Sequence, residues 1–157
     1  MSTARSFYVR LATMLVLAWL ILVPGVATAQ TVNQYTNSTS GAINNTTTCT
    51  APLVRNFTVS ASFIVADVDI GLFMSHAWRG DIRATLQSPA GTRLQVINGN
   101  TNNSADNLNV LLSDENSGQV GGASHTANDQ LTPAPPPYQR ALVPNNPLSA
   151  FDGQNSN

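Results

Sequence analysis

His76-Ala-Trp-Arg-Gly-Asp-Ile-Arg-Ala-Thr-Leu-Gln-Ser-Pro-Ala-Gly-Thr92 runs a polar turn, a strand and a second turn together without interruption. Ile82, Ala84 and Leu86 alternate with Arg83, Thr85 and Gln87. That period of two puts one set of side chains on a core and the other in water. Ser88-Pro89-Ala90-Gly91 then supplies a turn, with Pro presetting φ at the second position and Gly standing where positive φ is easiest. A half-buried strand closed by such a turn belongs in an antiparallel β-sandwich.

Outward from this stretch the same pattern recurs. Phe57, Val59, Ala61 and Phe63 alternate, then Val68, Ile70, Leu72 and Met74, which predicts two strands or one strand bent by a bulge near Ala66-Asp67. Leu94 and Val96 mark a strand after the turn, Asn98 to Asp106 a polar loop, and Leu108, Val110 and Leu112 a further strand. Residues 113–139 hold Gly121-Gly122 and Pro133-Ala-Pro-Pro-Pro137 and read as one long loop. Residues 30–56 are a polar lead-in, and no helix is required after residue 29.

The order of these motifs resembles the P domain, or Homo B domain, of proprotein convertases and of bacterial subtilisin-like serine proteases. Matching residues are His76, Trp78, Gly80, Asp81, Ile82, Leu86, Ser88, Pro89, Gly91 and Thr92. Two further stretches are similar to the family: Asp106-Asn107-Leu108 leading to Leu112-Ser113-Asp114, and Pro144 through Gly153. The resemblance covers roughly residues 57–157 and implies an antiparallel, jelly-roll-like sandwich of the galactose-binding-domain-like kind. It also implies a non-catalytic module that packs against a subtilisin-like catalytic domain, in cis or in trans, and supports its folding and stability. Serine-type endopeptidase activity and proteolysis are thereby associated with the family rather than encoded in this chain. Where the family continues into Gly-Thr-Trp-Thr-Leu and a closing strand, this sequence has Gln154-Asn-Ser-Asn157, so a sandwich incomplete at its C-terminus is expected.

At the other end, Arg5 and Arg10 precede an apolar run from Leu11 to Val23, followed by Pro24-Gly25 and Ala27-Thr28-Ala29. This is the layout of a secretory signal peptide cleaved after Ala29, and it predicts a secreted, cell-surface or periplasmic location. After residue 29 the basic side chains are Arg55, Arg79, Arg83, Arg93 and Arg140, without a lysine; five against eight acids leaves a charge of minus three. Nucleic-acid binding, which needs a clustered basic face, and electrostatic membrane attachment are both excluded by this balance. Cys49 stands alone and cannot form an intrachain disulfide.

A subtilisin-type catalyst needs Asp, His and Ser brought together with an oxyanion hole. The two histidines, His76 and His125, lie in no such context, and no Gly-Thr-Ser segment occurs. His76 is expected to bond a turn backbone, and His125, in a Gly/Ser-rich loop, to be solvated. Trp78 is expected to cap the core and Asp81 to accept turn N–H groups. Arg79-Gly80-Asp81 is also the tripeptide that integrins bind elsewhere, but the turn accounts for it here. Calcium is the one cofactor the sequence offers. Asp106, Asp114 and Glu115, with Asp67 or Asp69, lie in or beside loops and carry the hard oxygen ligands that this ion takes. The alternative to a protease-associated module is an exported binding module for a carbohydrate or protein ligand, using Trp78 and the Asn-rich loop.

Overall fold

A computed structural model describes residues 30–157; the expected signal peptide, residues 1–29, lies outside the described residues. The core-bearing unit comprises Tyr35–Asn157. Its strands are β1 (Ile70–Met74), β2 (Ala84–Gln87), β3 (Arg93–Ile97), β4 (Leu108–Leu112) and β5 (Arg140–Leu142), with 3-10 turns at Arg79–Asp81 and Leu148–Phe151. They form a three-stranded sheet in the order β1-β4-β5 and a two-stranded sheet of β2 and β3. The fold is an all-β sandwich.

The deciding stretch behaves as read. In β2 and the residue pair before it, burial alternates, with Ile82 enclosed, Ala84 and Leu86 half-buried, and Arg83, Thr85 and Gln87 exposed. Gly91, at φ +89°, closes the turn, its N–H donating to Ser88 O at 2.9 Å. Ser88 Oγ accepts the Thr92 N–H at 3.2 Å. The β2–β3 ladder slips between Ala84 and Thr85, which face Ile97 and Gln95 respectively. The extra residue, Val96, explains why β3 buries two consecutive side chains, Val96 and Ile97, where strict alternation allows one.

β4 is the centre of the molecule. Leu108, Val110 and Leu112 are completely enclosed on its inner face, meeting Leu142, Leu148, Phe151, Val96 and Ile82 in one cluster packed by Ile70, Leu72 and Met74 of β1. Removing a leucine side chain from such a position costs about 2–5 kcal/mol. Its outer face is also covered. Asn109 donates from Nδ2 to Gln130 O at 2.9 Å and accepts the Gln139 N–H at 3.1 Å, so both ends of the proline-rich part of the long loop dock on one strand residue.

Three expectations are corrected. The sandwich is not wholly antiparallel: β1 and β4 are, but β5 runs parallel to β4, with Val110 beside Arg140 and Leu112 beside Leu142. A long crossover through residues 113–139 makes that direction possible, because only a long connection can return a chain parallel to itself. Phe57 to Phe63 forms no sheet strand. Its alternation lacks a ladder partner until Ile64, which bridges antiparallel to Asn155. There the C-terminal segment lies alongside: Val65 N–H donates to Gln154 O at 2.9 Å, Gly153 N–H to Val65 O at 2.8 Å and Ser156 N–H to Phe63 O at 2.9 Å. The predicted bulge near Ala66-Asp67 is a bend, and the ladder irregularity sits in β2–β3 instead.

Candidate functional site: a buried arginine held by the long loop

Arg79, in the 3-10 turn between β1 and β2, is the largest fully buried side chain. Its guanidinium is caged by main-chain oxygens: Nε donates to Asn107 O at 2.8 Å and Nη1 to His125 O at 2.8 Å. Nη2 reaches Asp106 O at 2.9 Å and Ala127 O at 3.0 Å. A planar fork with five donors suits such a cage, and a lysine could not span it. Asp129 supplies the counter-charge 3.5 Å away, with both side chains essentially inaccessible.

Asp129 gathers three more donors. His125 Nε2 lies 3.2 and 3.1 Å from its two oxygens, Arg140 Nε 2.6 Å from Oδ1, and Asn109 N–H 3.0 Å from Oδ2. Burial pushes this carboxyl upward, but the bonds from His125, Asn109 and Arg140 prevail and hold it below the usual carboxylate range. Burial likewise lowers the Arg79 pKa, an effect the Asp129 charge opposes.

His125 is therefore not solvated, as its loop composition implied, but completely enclosed. Its Nδ1 faces the Gly121 N–H at 3.3 Å, which assigns the ring proton to Nε2, toward Asp129. A His–Asp pair supplies two of the three members of a hydrolytic triad, but here the remaining nitrogen is occupied by a backbone donor and cannot take a proton from a serine. The arrangement locks a loop rather than activating a nucleophile. Sequence reasoning missed His125 and Asp129 as partners. The available signal was Arg79, a charge inside the motif that required a counter-ion.

The motif residues divide by role. His76 Nδ1 bonds the Trp78 backbone, 2.8 Å from its O and 3.2 Å from its N, and its own N–H donates to Asn107 Oδ1, which is the expected turn role. Gly80 is enclosed because Asn100 and Asn103 cross it: its N–H donates to Asn103 O at 2.9 Å and its O accepts the Asn100 N–H at 2.9 Å. A Cβ there would lie 2.8 Å from Asn103 O and still closer to Asn100 O. Two expectations fail. Trp78 leaves 44% of its surface exposed and lies outside the core, and the Asp81 carboxylate takes no hydrogen bond among the described residues, projecting into solvent instead. Because Arg79 is buried, the Arg-Gly-Asp tripeptide cannot present its cation to a receptor.

The expected calcium ligands are dispersed. Asp114 spends both oxygens on the N–H groups of Leu148 and Ser149, each at 2.8 Å, starting the last 3-10 turn. Asp106 accepts from Asn128 Nδ2 at 3.2 Å. Glu115, which also accepts from Ser113 Oγ, instead meets Asp67 and Asp69, their exposed oxygens lying within 4.8 Å of one another. Asp67 is raised from its ordinary pKa by desolvation and by the charges of Glu115 and Asp69, against a Val68 N–H bond that lowers it. Three carboxylates so placed fit a hard cation better than the expected trio does.

Together, the sandwich and the motif at its rim define a small β-module with an internal polar lock. Comparison with protein families gives a match over residues 65–122 to the proprotein convertase P-domain, the family that the motifs resemble. No curated protein and no solved structure matches the chain.

Proposed function

We propose that the chain acts as an exported accessory module that supports folding and stability of a subtilisin-like serine protease catalytic domain, carried in cis or in trans. The observation that carries this reading is the P-domain match over residues 65–122, which contains the Arg79 turn and the whole of β1 to β4. Support also comes from how the motif is used: His76, Arg79 and Gly80 are engaged inside the module, and His125 is closed to substrate. The Arg5/Arg10-led apolar run and Ala27-Thr28-Ala29 support export to the secreted, cell-surface or periplasmic compartment. Calcium enters as an accessory ion at Asp67, Asp69 and Glu115. Among the described residues no helix is long and apolar enough to cross a membrane.

The test is co-expression with a subtilisin-like catalytic domain from the same genome. A higher yield of mature protease with the chain present, lost with an unfolded Gly80→Val variant, is the expected result. Equal yields with and without the chain would overturn the reading.

A further inference from the structure

Asn98-Gly99 is the only Asn-Gly pair in the chain. It stands where β3 ends and the loop over Gly80 begins. The backbone nitrogen of the residue after an asparagine can attack the asparagine carboxamide, an intramolecular ring closure, and glycine eases the approach because no Cβ intervenes. Whether the ring closes then depends on what else holds the two groups.

Asn98 is exposed, and its hydrogen bonds among the described residues run through the main chain: its N–H donates to Asn145 Oδ1 at 2.9 Å and its carbonyl accepts from Arg83 Nε at 3.1 Å. The Gly99 N–H donates to no described residue. The carboxamide and the following N–H, the two groups that react, are thus both unspent.

Comparable pairs are held. Asp152-Gly153 would close the same ring, but the Gly153 N–H donates to Val65 O at 2.8 Å. In the Asn-Ser pairs, where another small residue follows, the carboxamide is tied: Asn37 Nδ2 donates to Asn56 O at 2.7 Å and Asn103 Nδ2 to His125 O at 2.9 Å. Asn116 Nδ2 lies 3.4 Å from Leu111 O and Leu142 O, and Asn155 Oδ1 accepts from Ser62 Oγ at 3.1 Å.

We infer that Asn98 is a self-modification site, deamidated by solvent water through the Gly99 nitrogen without an enzyme. The Gly99 nitrogen gives up its proton and bonds to Asn98 Cγ; the Cγ–Nδ2 bond breaks, and Nδ2 leaves with a proton as ammonia. One water then opens the cyclic imide. Attack at Cγ yields aspartate, whereas attack at the main-chain carbonyl carbon yields isoaspartate, whose chain runs through Cβ and Cγ. No oxidant or reductant is consumed.

The two products act differently on the loop. Aspartate puts a carboxylate on the residue whose carbonyl already accepts Arg83. Isoaspartate lengthens the main chain just before the Asn100 N–H, which donates to Gly80 O at 2.9 Å, and displaces the carbonyl that Arg83 holds. The loop over Gly80 and the Arg79 turn is thereby loosened. The site is independent of any protease partnership and gives the module a chemical clock.

The full chain is aged in mildly alkaline buffer, folded and in urea, and its peptides are followed by mass for the exchange of NH2 for OH, with isoaspartate detected by enzymatic methylation. In the folded protein Asn98 should convert about tenfold or more faster than Asn37, Asn103, Asn116 and Asn155. Conversion should quicken as pH rises, because the Gly99 nitrogen must lose its proton, and Asn98→Gln should remove it. Folding should slow the Asn-Ser pairs far more than Asn98. The isoaspartate form, separated by ion exchange, should melt below Asn98→Asp. The inference is overturned if Asn98 converts no faster than the Asn-Ser pairs, if folding protects it as much as them, or if no isoaspartate forms; equal melts of the two products would overturn the effect on the loop.

Discussion

The Arg79 guanidinium and the Asp129 carboxylate stand 3.5 Å apart, far separated in sequence and both withdrawn from water. The pair ties the turn before β2 to the loop before β5, and His125 and Arg140 brace the same carboxylate. Breaking a buried pair from one side costs about 3–5 kcal/mol, because the remaining charge is left unmatched. Arg79→Ala and Asp129→Ala should therefore each lose about that much in urea unfolding, a large fraction of the roughly 5–15 kcal/mol typical of a domain. The double variant should lose less than the sum of the two. Additive losses would show that the two side chains act separately.

Gly80 lies beneath two backbone carbonyls rather than in a left-handed conformation, so space alone decides what can replace it. Gly80→Ala must push back the Asn100–Asn103 loop, and overpacking of this kind costs about 1–3 kcal/mol; Gly80→Val should cost more. Gly91→Ala fails differently, since open space surrounds it and its φ of +89° is the only obstacle. Thermal melts of the three variants should rank Gly80→Val as the least stable.

Acid should unlock the loop. Asp129 has a folded-state pKa below its unfolded value of about 3.9, so its contribution is complete above that value. It is lost as pH falls from there through the lowered folded value. Melting temperature should drop steeply below about pH 4. In Asp129→Asn that acid limb should be shallower, with a lower plateau at neutral pH. Identical acid limbs in the two proteins would assign acid sensitivity to another carboxylate.

Calcium should relieve the mutual repulsion of Asp67, Asp69 and Glu115. Desolvation and, after it, the charges of Glu115 and Asp69 raise the Asp67 carboxyl, and a ligand that binds only the folded state stabilises it in proportion to its occupancy. Millimolar calcium should raise the melting temperature by a few degrees, chelator should reverse the rise, and Asp69→Asn should abolish it. Equal melts in calcium and chelator would remove the ion from the proposed function.

Alternation made β2, β3 and β4 and the turn at Ser88–Gly91 legible, because half-buried strands write their burial into every second residue. It over-read Phe57–Phe63, where the pattern exists but a strand needs a hydrogen-bonded neighbour that sequence does not display. It passed over β5, whose Arg140-Ala-Leu142 is too short to show a period and pairs through a distant parallel register. The polar lock was hidden for another reason. His125 and Asp129 sit among small polar residues that ordinarily face water, and only the fold turns that loop inward against Arg79. Carboxylates were legible as candidates, but their grouping was not. Asp114 became a helix-turn cap, while Glu115 beside it turned to Asp67 and Asp69.

The antiparallel seam between Phe63–Val65 and Gly153–Ser156 fastens the segment leading into β1 to the segment that follows the last 3-10 turn. Opposed forces on those two segments would load its few main-chain hydrogen bonds before they reached β4 and the enclosed leucines.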